Sequence, residues 1–258
     1  MATVLITGAS AGLGLEFAWQ LATARHDLVL VARDTERLER LASQLHAAAG
    51  VHVEVLPADL AVRADVERVA ERLRATKNPI ALLVNNAGFA LHQPIVGGDL
   101  EKHERALEVM VRAVFVLSHA AAGQMTERGR GAILNVASIA ALFTSGAYSA
   151  NKAWVRSFTE SLAVELAGTG VTATVLCPGL VHTEFHERGN VDMSSWPEVV
   201  WLNADSVVAA ALADVRRGVV ISTPSLRYRV VAGVMRLLPR AAVRAIGSNR
   251  RPMDAPTV

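Results

Sequence analysis

The chain has 258 residues, of which 52% are apolar and 19% charged, and its formal net charge is only +2. This composition supplies a large core and excludes a disordered chain, and so small a charge gives no indication of nucleic-acid binding. The single cysteine, Cys177, excludes an intramolecular disulfide and is typical of a reducing compartment. We therefore expect a cytoplasmic protein in which Cys177 is a small buried residue at the end of a strand.

The N-terminal sequence MATVLITGAS lacks the basic segment and the long apolar run of a signal peptide. No stretch of about 18 uncharged apolar residues occurs anywhere in the chain. We expect neither a signal peptide nor a transmembrane helix.

Short apolar runs rich in Val, Ile and Leu alternate along the chain with longer helical patterns. Runs that are apolar throughout indicate strands buried on both faces, and their alternation with helices indicates a parallel sheet. The sequence therefore predicts an α/β fold: a doubly wound parallel sheet (Rossmann-like) of about seven strands with helices on both faces. No linker divides the chain, so we predict one domain over residues 1–258. The predicted strands are 3–7, 27–32, 51–56, 80–84, 132–137, 171–176 and 219–222.

The first predicted strand is followed by TGASAGLG, in which Gly8, Gly12 and Gly14 open a helix. Glycines in such a turn let the backbone approach a pyrophosphate, and the helix N-terminus attracts its negative charge. The spacing is G-x-x-x-G-x-G rather than G-x-G-x-x-G, and a purely structural turn is the alternative. Its position after the first strand favours dinucleotide binding.

The second predicted strand ends in LVLVARD, and the residue at its end distinguishes the two nicotinamide dinucleotides. An acidic residue there accepts a hydrogen bond from the ribose 2′-hydroxyl, whereas an arginine accommodates a 2′-phosphate. Ala32 occupies the position of the acid and Arg33 follows it, which favours NADPH over NADH. The alternative makes Asp34 the ribose acceptor, but Asp34 is better explained as the N-cap of the next helix.

The segment GAYSANKAW places Tyr148 four positions before Lys152. Residues four apart on a helix share a face, so the phenol and the ammonium either enter one site or are two solvated side chains. Four motifs in order decide this, because together they resemble the short-chain dehydrogenase/reductase superfamily over roughly residues 2–222. The motifs are TGASAGLG, NNAG at 85–88, Ser138 followed by Tyr148-x-x-x-Lys152, and Pro178-Gly179.

The resemblance implies a catalytic role for Ser138, Tyr148 and Lys152. Tyr148 would protonate a carbonyl oxygen while NADPH delivers hydride to the carbon, and Ser138 would donate a hydrogen bond to the same oxygen. A free phenol, with a pKa near 10, exchanges protons poorly at neutral pH. We expect the Lys152 ammonium and the oxidised nicotinamide to lower the pKa of Tyr148, and Lys152 to bind the nicotinamide ribose as well.

The resemblance also implies cofactor contacts and an assembly. Asp59 would contact adenine, Asn85 would steady the central sheet, and Thr183 would bond the nicotinamide carboxamide. The helices around 101–126 and 148–167 correspond to those that pair in the family, so we expect a homodimer or homotetramer. The implied cofactor-binding residues are Gly8, Ser10, Gly12, Leu13, Gly14, Arg33, Asp59, Leu60, Asn86, Ala87, Gly88, Tyr148, Lys152, Pro178, Gly179 and Thr183.

Two features depart from the family's pattern. The loop between Ser138 and Tyr148 is about three residues shorter than usual, as in bacterial members often called ketoacyl reductases. Met110 occupies the position of an asparagine that lies in a kinked helix, where its main-chain carbonyl holds a water linked to the catalytic lysine. Methionine retains that carbonyl, so we expect the water path and the activity to persist.

The segment 184–202 carries Phe185, Met193, Trp196 and Trp201 and corresponds to the family's substrate lid, which indicates an apolar substrate. His182 and His186 are spaced like zinc ligands, but no third ligand is evident and we predict no metal site. The basic extension 225–258 holds arginines opposite Val, Leu and Ile, interrupted by Pro239. We expect it to pack over the substrate pocket or a neighbouring subunit; contact with an anionic membrane is the alternative.

These observations together predict an NADPH-dependent reductase of a ketone or aldehyde carbonyl, reversible with the secondary alcohol. The substrate would be apolar or ketoacyl-like. The alternatives are an alcohol-oxidising NAD(P) dehydrogenase and a catalytically weak cofactor-binding protein that acts as a sensor or membrane-associated partner.

Overall fold

The computed structural model describes residues 2–91, 93–184 and 197–248. Seven strands form one parallel sheet in the order β3-β2-β1-β4-β5-β6-β9, and β7 and β8 form a separate two-stranded sheet. The chain therefore winds in both directions from β1, as the sequence predicts. The strands are β1 (Thr3–Thr7), β2 (Asp27–Ala32), β3 (Val53–Pro57), β4 (Ile80–Asn85), β5 (Gly131–Val136), β6 (Val171–Leu176), β7 (Leu180–Val181), β8 (Trp201–Leu202) and β9 (Ile221–Ser222).

Helices connect the strands and cover both faces of the sheet. A π-helical turn, Glu108–Arg112, joins α4 to α5, and two short 3-10 turns lie at Ile139–Leu142 and Glu198–Val200. The α-helices are α1 (Gly12–Thr23), α2 (Thr35–Ala49), α3 (Arg63–Arg74), α4 (Leu100–Leu107), α5 (Ala113–Glu127), α6 (Gly146–Glu165), α7 (Ala204–Arg216), α8 (Leu226–Leu237) and α9 (Arg240–Ser248).

Two apolar layers hold the helices to the sheet. One layer packs α1, α2 and α7 against one face, with Phe17, Leu38 and Val208 fully buried. The other packs α3, α5 and α6 against the opposite face, around residues such as Val69 and Leu117. Strands buried on both faces explain why the apolar runs of the sequence are continuous rather than alternating.

The last predicted strand is shorter than its apolar run, and two strands were not anticipated. In 219–222 only Ile221 and Ser222 pair with β6, although Val220 still accepts a hydrogen bond from the amide of Val175. Strands β7 and β8 have two residues each, too few to show a hydrophobic period. The predicted third strand also begins two residues early, because pairing with β2 starts at Val53.

The continuous helix Leu100–Glu127 meets the length and hydropathy of a membrane span, with a mean hydropathy of 1.4 over its most apolar window. Half of that window is buried within the fold. Its residues Leu117 and Ala121 lie in the apolar layer that covers the sheet. We therefore interpret it as a core helix.

Candidate active site

The glycine turn lies at the carboxyl end of β1 and has the geometry that close approach of a ligand requires. Gly8 and Gly12 adopt φ values of 67° and 55°, a region that favours glycine. A Cβ on Gly14 would overlap the carbonyl oxygen of Gly8 and come within 2.6 Å of Nδ2 of Asn86. The turn thus presents bare backbone at the N-terminus of α1, which fits the pyrophosphate of a dinucleotide.

The NNAG segment holds this turn in place. Nδ2 of Asn86 donates hydrogen bonds to the carbonyl oxygens of Thr7 (3.0 Å) and Gly8 (3.2 Å). In return, Oγ1 of Thr7 accepts from the amides of Asn86 (3.0 Å) and Ala87 (3.1 Å). These reciprocal bonds join the ends of β1 and β4, so the turn is shaped by the protein itself.

A buried polar network lies below this edge of the sheet. Nδ2 of Asn85 donates to Oγ of Ser118 (3.1 Å) and to Oδ1 of Asn135 (2.9 Å). Nδ2 of Asn135 donates onward to Oγ1 of Thr159 (3.0 Å). The chain of bonds links β4, β5, α5 and α6, which is the arrangement expected of Asn85 as a support of the central sheet.

The end of β2 presents Arg33 in place of the acidic residue that would accept from a ribose 2′-hydroxyl. Arg33 is exposed, and Ala32 precedes it as the last residue of the strand. Oδ1 of Asp34 accepts from the amide of Arg37 at 3.0 Å, so this carboxylate caps α2. Its use as a cap supports the interpretation that Asp34 is not a ribose acceptor.

Asp59, the implied adenine contact, follows β3 and is held by its own neighbours. Its Oδ1 accepts from the amide of Ala61 (3.0 Å), and its Oδ2 lies 2.6 Å from Nη2 of Arg105. Burial raises the pKa of Asp59, but the Ala61 amide and the Arg105 guanidinium outweigh it, with a contribution from Arg33, and hold the pKa below its usual value. The carboxylate therefore stays ionised close to Arg33.

Ser138, Tyr148 and Lys152 come together beyond the carboxyl end of β5. Ser138 follows the strand and caps the turn Ile139–Leu142, and Tyr148 and Lys152 lie on the first two turns of α6. The hydroxyl of Ser138 is hydrogen-bonded to that of Tyr148. Nζ of Lys152 lies 5.8 Å from the centre of the Tyr148 ring and donates to the carbonyl of Val136 at 2.8 Å. The two side chains are thus not solvated surface groups.

The pKa of Tyr148 differs from the expected direction. Burial raises it to about 12, and the hydrogen bond with Ser138 offsets only part of this rise. Burial also lowers the pKa of Lys152 to about 8. The protein alone therefore desolvates both groups, and the expected lowering of the phenol pKa by Lys152 together with the oxidised nicotinamide stays a prediction for the complex. Near neutral pH, Tyr148 is a protonated phenol.

The Pro178–Thr183 loop approaches the site from β6. The carbonyl of Pro178 accepts from the amide of Ile139 at 2.9 Å, which ties this loop to the Ser138 turn. A Cβ on Gly12 would lie 3.5 Å from Cβ of Thr183. The structure therefore brings Thr183 over the glycine turn, next to where the cofactor contacts implied by the sequence converge.

A family profile for the short chain dehydrogenases matches residues 2–194. The chain belongs to the short-chain dehydrogenase family. It is 38% identical over 189 residues to sulfoacetaldehyde reductase 2 from Chromohalobacter salexigens, covering 70% of this chain and 73% of that one. It is 32% identical over 182 residues to the ketoacyl reductase HetN from Nostoc sp., covering 69% and 63%.

A solved structure of a short-chain dehydrogenase from Sphingobium yanoikuyae in complex with NADPH superposes with a TM-score of 0.84. The identity is 34%, and the match covers 99% of this chain and 98% of that one. Membership in the short-chain dehydrogenase family makes the protein an NAD(P)-dependent oxidoreductase of CH–OH and C=O groups.

Met110, where the short-chain dehydrogenase pattern expects asparagine, lies at the centre of the π-helical turn Glu108–Arg112 and is fully buried. The amide of Ala113 donates to the carbonyl of Glu108, the wider spacing that defines such a turn. A Cβ on Gly88 would lie 3.5 Å from Cγ and Sδ of Met110 and from Nζ of Lys152. The irregular helix is therefore retained without the asparagine, and the methionine and the lysine both approach Gly88.

The remaining sequence-predicted residues of this short-chain dehydrogenase surround the same edge of the sheet. Ser10 and Leu13 lie in the glycine turn and the first turn of α1, half-buried, and Leu60 is buried beside Asp59. Residues 185–196, most of the predicted lid, lie outside the described residues. They include His186, which together with His182 has the spacing of zinc ligands. Nε2 of His182 lies 2.8 Å from Oε1 of Glu198.

Three residues that build the short-chain dehydrogenase site were missed by sequence reasoning. Thr7 reads as the end of an apolar strand, and Arg105 as one of several charges on α4. Tyr228 lies 48 positions after Leu180, yet its hydroxyl donates to the carbonyl of Val200 (2.7 Å) and accepts from the amide of Leu180 (3.2 Å). A Cβ on Gly179 would overlap its ring. The tyrosine's isolation in a basic segment is the one signal that sequence offers.

Proposed function

We propose that this short-chain dehydrogenase is an NADPH-dependent reductase of ketone or aldehyde carbonyls, reversible with the corresponding secondary or primary alcohol. The observation that carries the proposal is the hydrogen-bonded pair Ser138 and Tyr148 with Lys152 beside it. This group lies at the same edge of the sheet as the open glycine turn. A bound nicotinamide supplies hydride, and the chain's own residues supply the proton and the charge stabilisation.

Tyr148 is the general acid in this proposal. With a pKa of about 12, its phenol is protonated near neutral pH and holds the proton that a reduced carbonyl oxygen must receive. Ser138 donates a hydrogen bond to the same oxygen and stabilises the charge that develops there. In the reverse reaction the same residue, as the phenolate, would accept the proton of the alcohol, so the alcohol-oxidising dehydrogenase remains the alternative.

Lys152 positions ligands and carries charge close to Tyr148. One of its three N–H groups is used by the Val136 carbonyl, which leaves the others for a ribose hydroxyl. Gly88 lacks a side chain where Nζ approaches, so the backbone leaves room beside the ammonium. Below its pKa of about 8, Lys152 is a cation that favours negative charge on the tyrosine oxygen once a proton has been transferred.

We propose that NADPH is preferred over NADH. Arg33 is exposed at the end of β2, Ala32 offers no repelling carboxylate, and the carboxylate of Asp34 is engaged with the α2 amide. A guanidinium binds a phosphate through charge-assisted hydrogen bonds. Arg33 would therefore hold the 2′-phosphate, as residues 8–14 would hold the pyrophosphate.

The proposed substrate is an apolar or ketoacyl-like carbonyl compound. One relative is named a ketoacyl reductase, which supports the ketoacyl-like class, and another is named a sulfoacetaldehyde reductase, which supports a carbonyl substrate but not an apolar one. The segment 184–202 would form the lid over the substrate. The buried free thiol of Cys177 is consistent with the proposed cytoplasmic location.

We further propose a homodimer or homotetramer that pairs through α5 and α6. An aromatic cluster lies on this surface: the rings of Trp154 and Phe158 stack at 4.8 Å, and Phe115 lies 5.6 Å from Phe158. Phe115, on α5, is 49% exposed, and Val164, on α6, is 76% exposed. Exposed apolar residues beside such a cluster favour burial by a second copy.

Consumption of NADPH with a panel of ketones and aldehydes tests catalysis and substrate class together. We expect turnover with at least one apolar ketone. Binding of NADPH without consumption in every case would instead favour the catalytically weak, cofactor-binding alternative. Light scattering at micromolar concentration tests the assembly, and a monomer mass would contradict it.

A further inference from the structure

Among the residues that the structure describes, nothing covers an apolar stripe on the outer side of helix α8. The stripe consists of Leu226, Val230, Val234 and Leu237, which are 69%, 59%, 52% and 87% exposed. At 3.6 residues per turn, these four side chains lie within an arc of about 80°. Exposed large apolar residues in a continuous row are unusual on a surface that meets only water.

Exposed arginines border the stripe on both sides. On the helical wheel Arg227 lies next to Val234, and Arg229 and Arg236 lie together beyond Leu226. Arg240 and Arg244 continue the basic surface along α9, and both are exposed. Arginine side chains beside an apolar row reach outward while their methylene stems cover apolar surface.

The opposite face of the two helices is anchored to the catalytic loops. Met235 is buried, and Tyr228 lies against Gly179 and bonds the amide of Leu180. Oγ1 of Thr144, in the loop between Ser138 and Tyr148, donates to the carbonyl of Val243 at 3.4 Å. This inner face makes the contacts that hold α8 and α9 to the described residues, and the outer stripe contributes none of them.

The chain segment that carries the stripe has charge of one sign. Between Asp214 and Asp254 the sequence contains nine arginines and no acidic residue. The rest of the chain is net acidic, at −7, since these nine arginines are part of a whole whose net charge is only +2. A surface that joins an apolar row to unneutralised arginines complements a partner that is apolar inside and negatively charged at its boundary.

We propose that α8 docks this face on an anionic phospholipid membrane, with the apolar stripe in the interface and the flanking arginines at the headgroups. A second copy of the chain is a poorer occupant. A two-fold interface would set the arginines of α8 and α9 against those of the partner, and neither helix contains an acidic residue. Docking would leave the glycine turn, at the end of β1, outside the contact that α8 makes.

Partitioning onto vesicles tests the proposal without any measurement of catalysis. The natural protein is sedimented with vesicles of phosphatidylcholine alone and of an equimolar mixture with phosphatidylglycerol. We expect binding to the mixed vesicles, weaker binding to the neutral ones, and a loss between about 0.1 M and about 1 M salt, over which the Debye length falls from roughly 10 Å to roughly 3 Å.

Two double variants separate the charged and apolar contributions. Each arginine at an anionic surface raises partitioning by roughly fivefold, so Arg229→Glu with Arg236→Glu is expected to lower it by at least about 25-fold. Val230→Gln with Val234→Gln is expected to lower it by roughly tenfold or more. Arg40→Glu with Arg63→Glu makes the same change of charge on exposed residues of α2 and α3, and should leave partitioning within about threefold of the natural value.

Thermal unfolding and light scattering accompany each variant, so that a loss of binding is read only from folded protein of unchanged mass. The proposal is overturned if neutral and anionic vesicles bind equally, or if the control pair reduces binding as much as Arg229→Glu with Arg236→Glu. It is also overturned if the valine pair lowers the mass in solution, because the stripe is then an interface between copies.

Discussion

The cofactor side and the substrate side of the sheet edge are held in different ways. On the cofactor side, Thr7 and Asn86 exchange four hydrogen bonds with neighbouring backbone, and Asn85 extends a buried network beneath them. On the substrate side, two strands of two residues each and the turn before the second are joined to α8 by Tyr228, which bonds Leu180 and Val200, and by Arg227, which donates to the carbonyl of Val199. A change on the first side disturbs many bonds, whereas the second side tolerates variation.

From this difference we expect the cofactor side to be constant and the substrate side to determine substrate specificity. Polar groups that are satisfied inside the protein cost no reorganisation when a ligand binds, so the cofactor side suits a constant partner. Short elements on the surface change with little cost to the fold, so the substrate side suits the variable partner.

The largest effect is expected from Tyr148→Phe, which keeps the ring but removes the proton donor. Turnover of a carbonyl substrate should fall roughly a hundredfold or more, while NADPH binding is retained. Steady-state rates and fluorescence titration with NADPH measure the two quantities. Retained turnover would remove Tyr148 from the mechanism.

Lys152→Met tests the buried lysine through stability. The folded-state pKa of about 8 lies below the ordinary value of 10.5, so the folded state binds fewer protons between these values and burial of the charge destabilises the fold below pH 8. The free energy of unfolding of the natural protein should therefore rise relative to the variant by about 2 kcal/mol from about pH 7 to about pH 9.5. Urea unfolding at a series of pH values measures this difference. The same pH dependence of the free energy of unfolding in both proteins would contradict the burial of this charge.

Arg33→Ala should weaken NADPH binding by about tenfold, or about 1.4 kcal/mol, and leave NADH binding unchanged. The natural protein should prefer NADPH by at least that factor. Dissociation constants for both dinucleotides measure the effect. Arg37→Ala is the matched control, because Arg37 is also exposed nearby but pairs with Asp34. An equal loss in both variants would make the effect non-specific.

Met110→Asn restores the family's residue beside Lys152. We expect turnover to rise by no more than about tenfold, because the π-helical turn already exists and the side chain contributes at most one bridging interaction, roughly 1.4 kcal/mol. Single-turnover rates measure the chemical step. Activation by a thousandfold from an inert natural protein would show that the asparagine side chain is required.

The smallest effect is expected from Tyr228→Phe on the substrate side. The ring still packs against Gly179, but the bonds to Leu180 and Val200 are lost, so the loop is held less firmly. We expect KM for the carbonyl substrate to rise about fivefold, about 1 kcal/mol, with little change in kcat. A fall in kcat like that of Tyr148→Phe would instead show that Tyr228 supports the chemical step.

The sequence by itself determined the doubly wound sheet, the glycine turn and the Asp34 cap, because each is set by local rules: the hydrophobic period, the φ values that glycine permits, and a carboxylate three residues before an amide. It also determined which side chains to examine, since Ser138, Tyr148 and Lys152 do meet. Only the tertiary structure decided the direction of the Tyr148 pKa, because desolvation depends on everything packed around the phenol. It alone decided that Tyr228 reaches Leu180 and that the apolar row of α8 faces outward, since contacts across 48 residues and the orientation of a helix follow from packing rather than from local sequence.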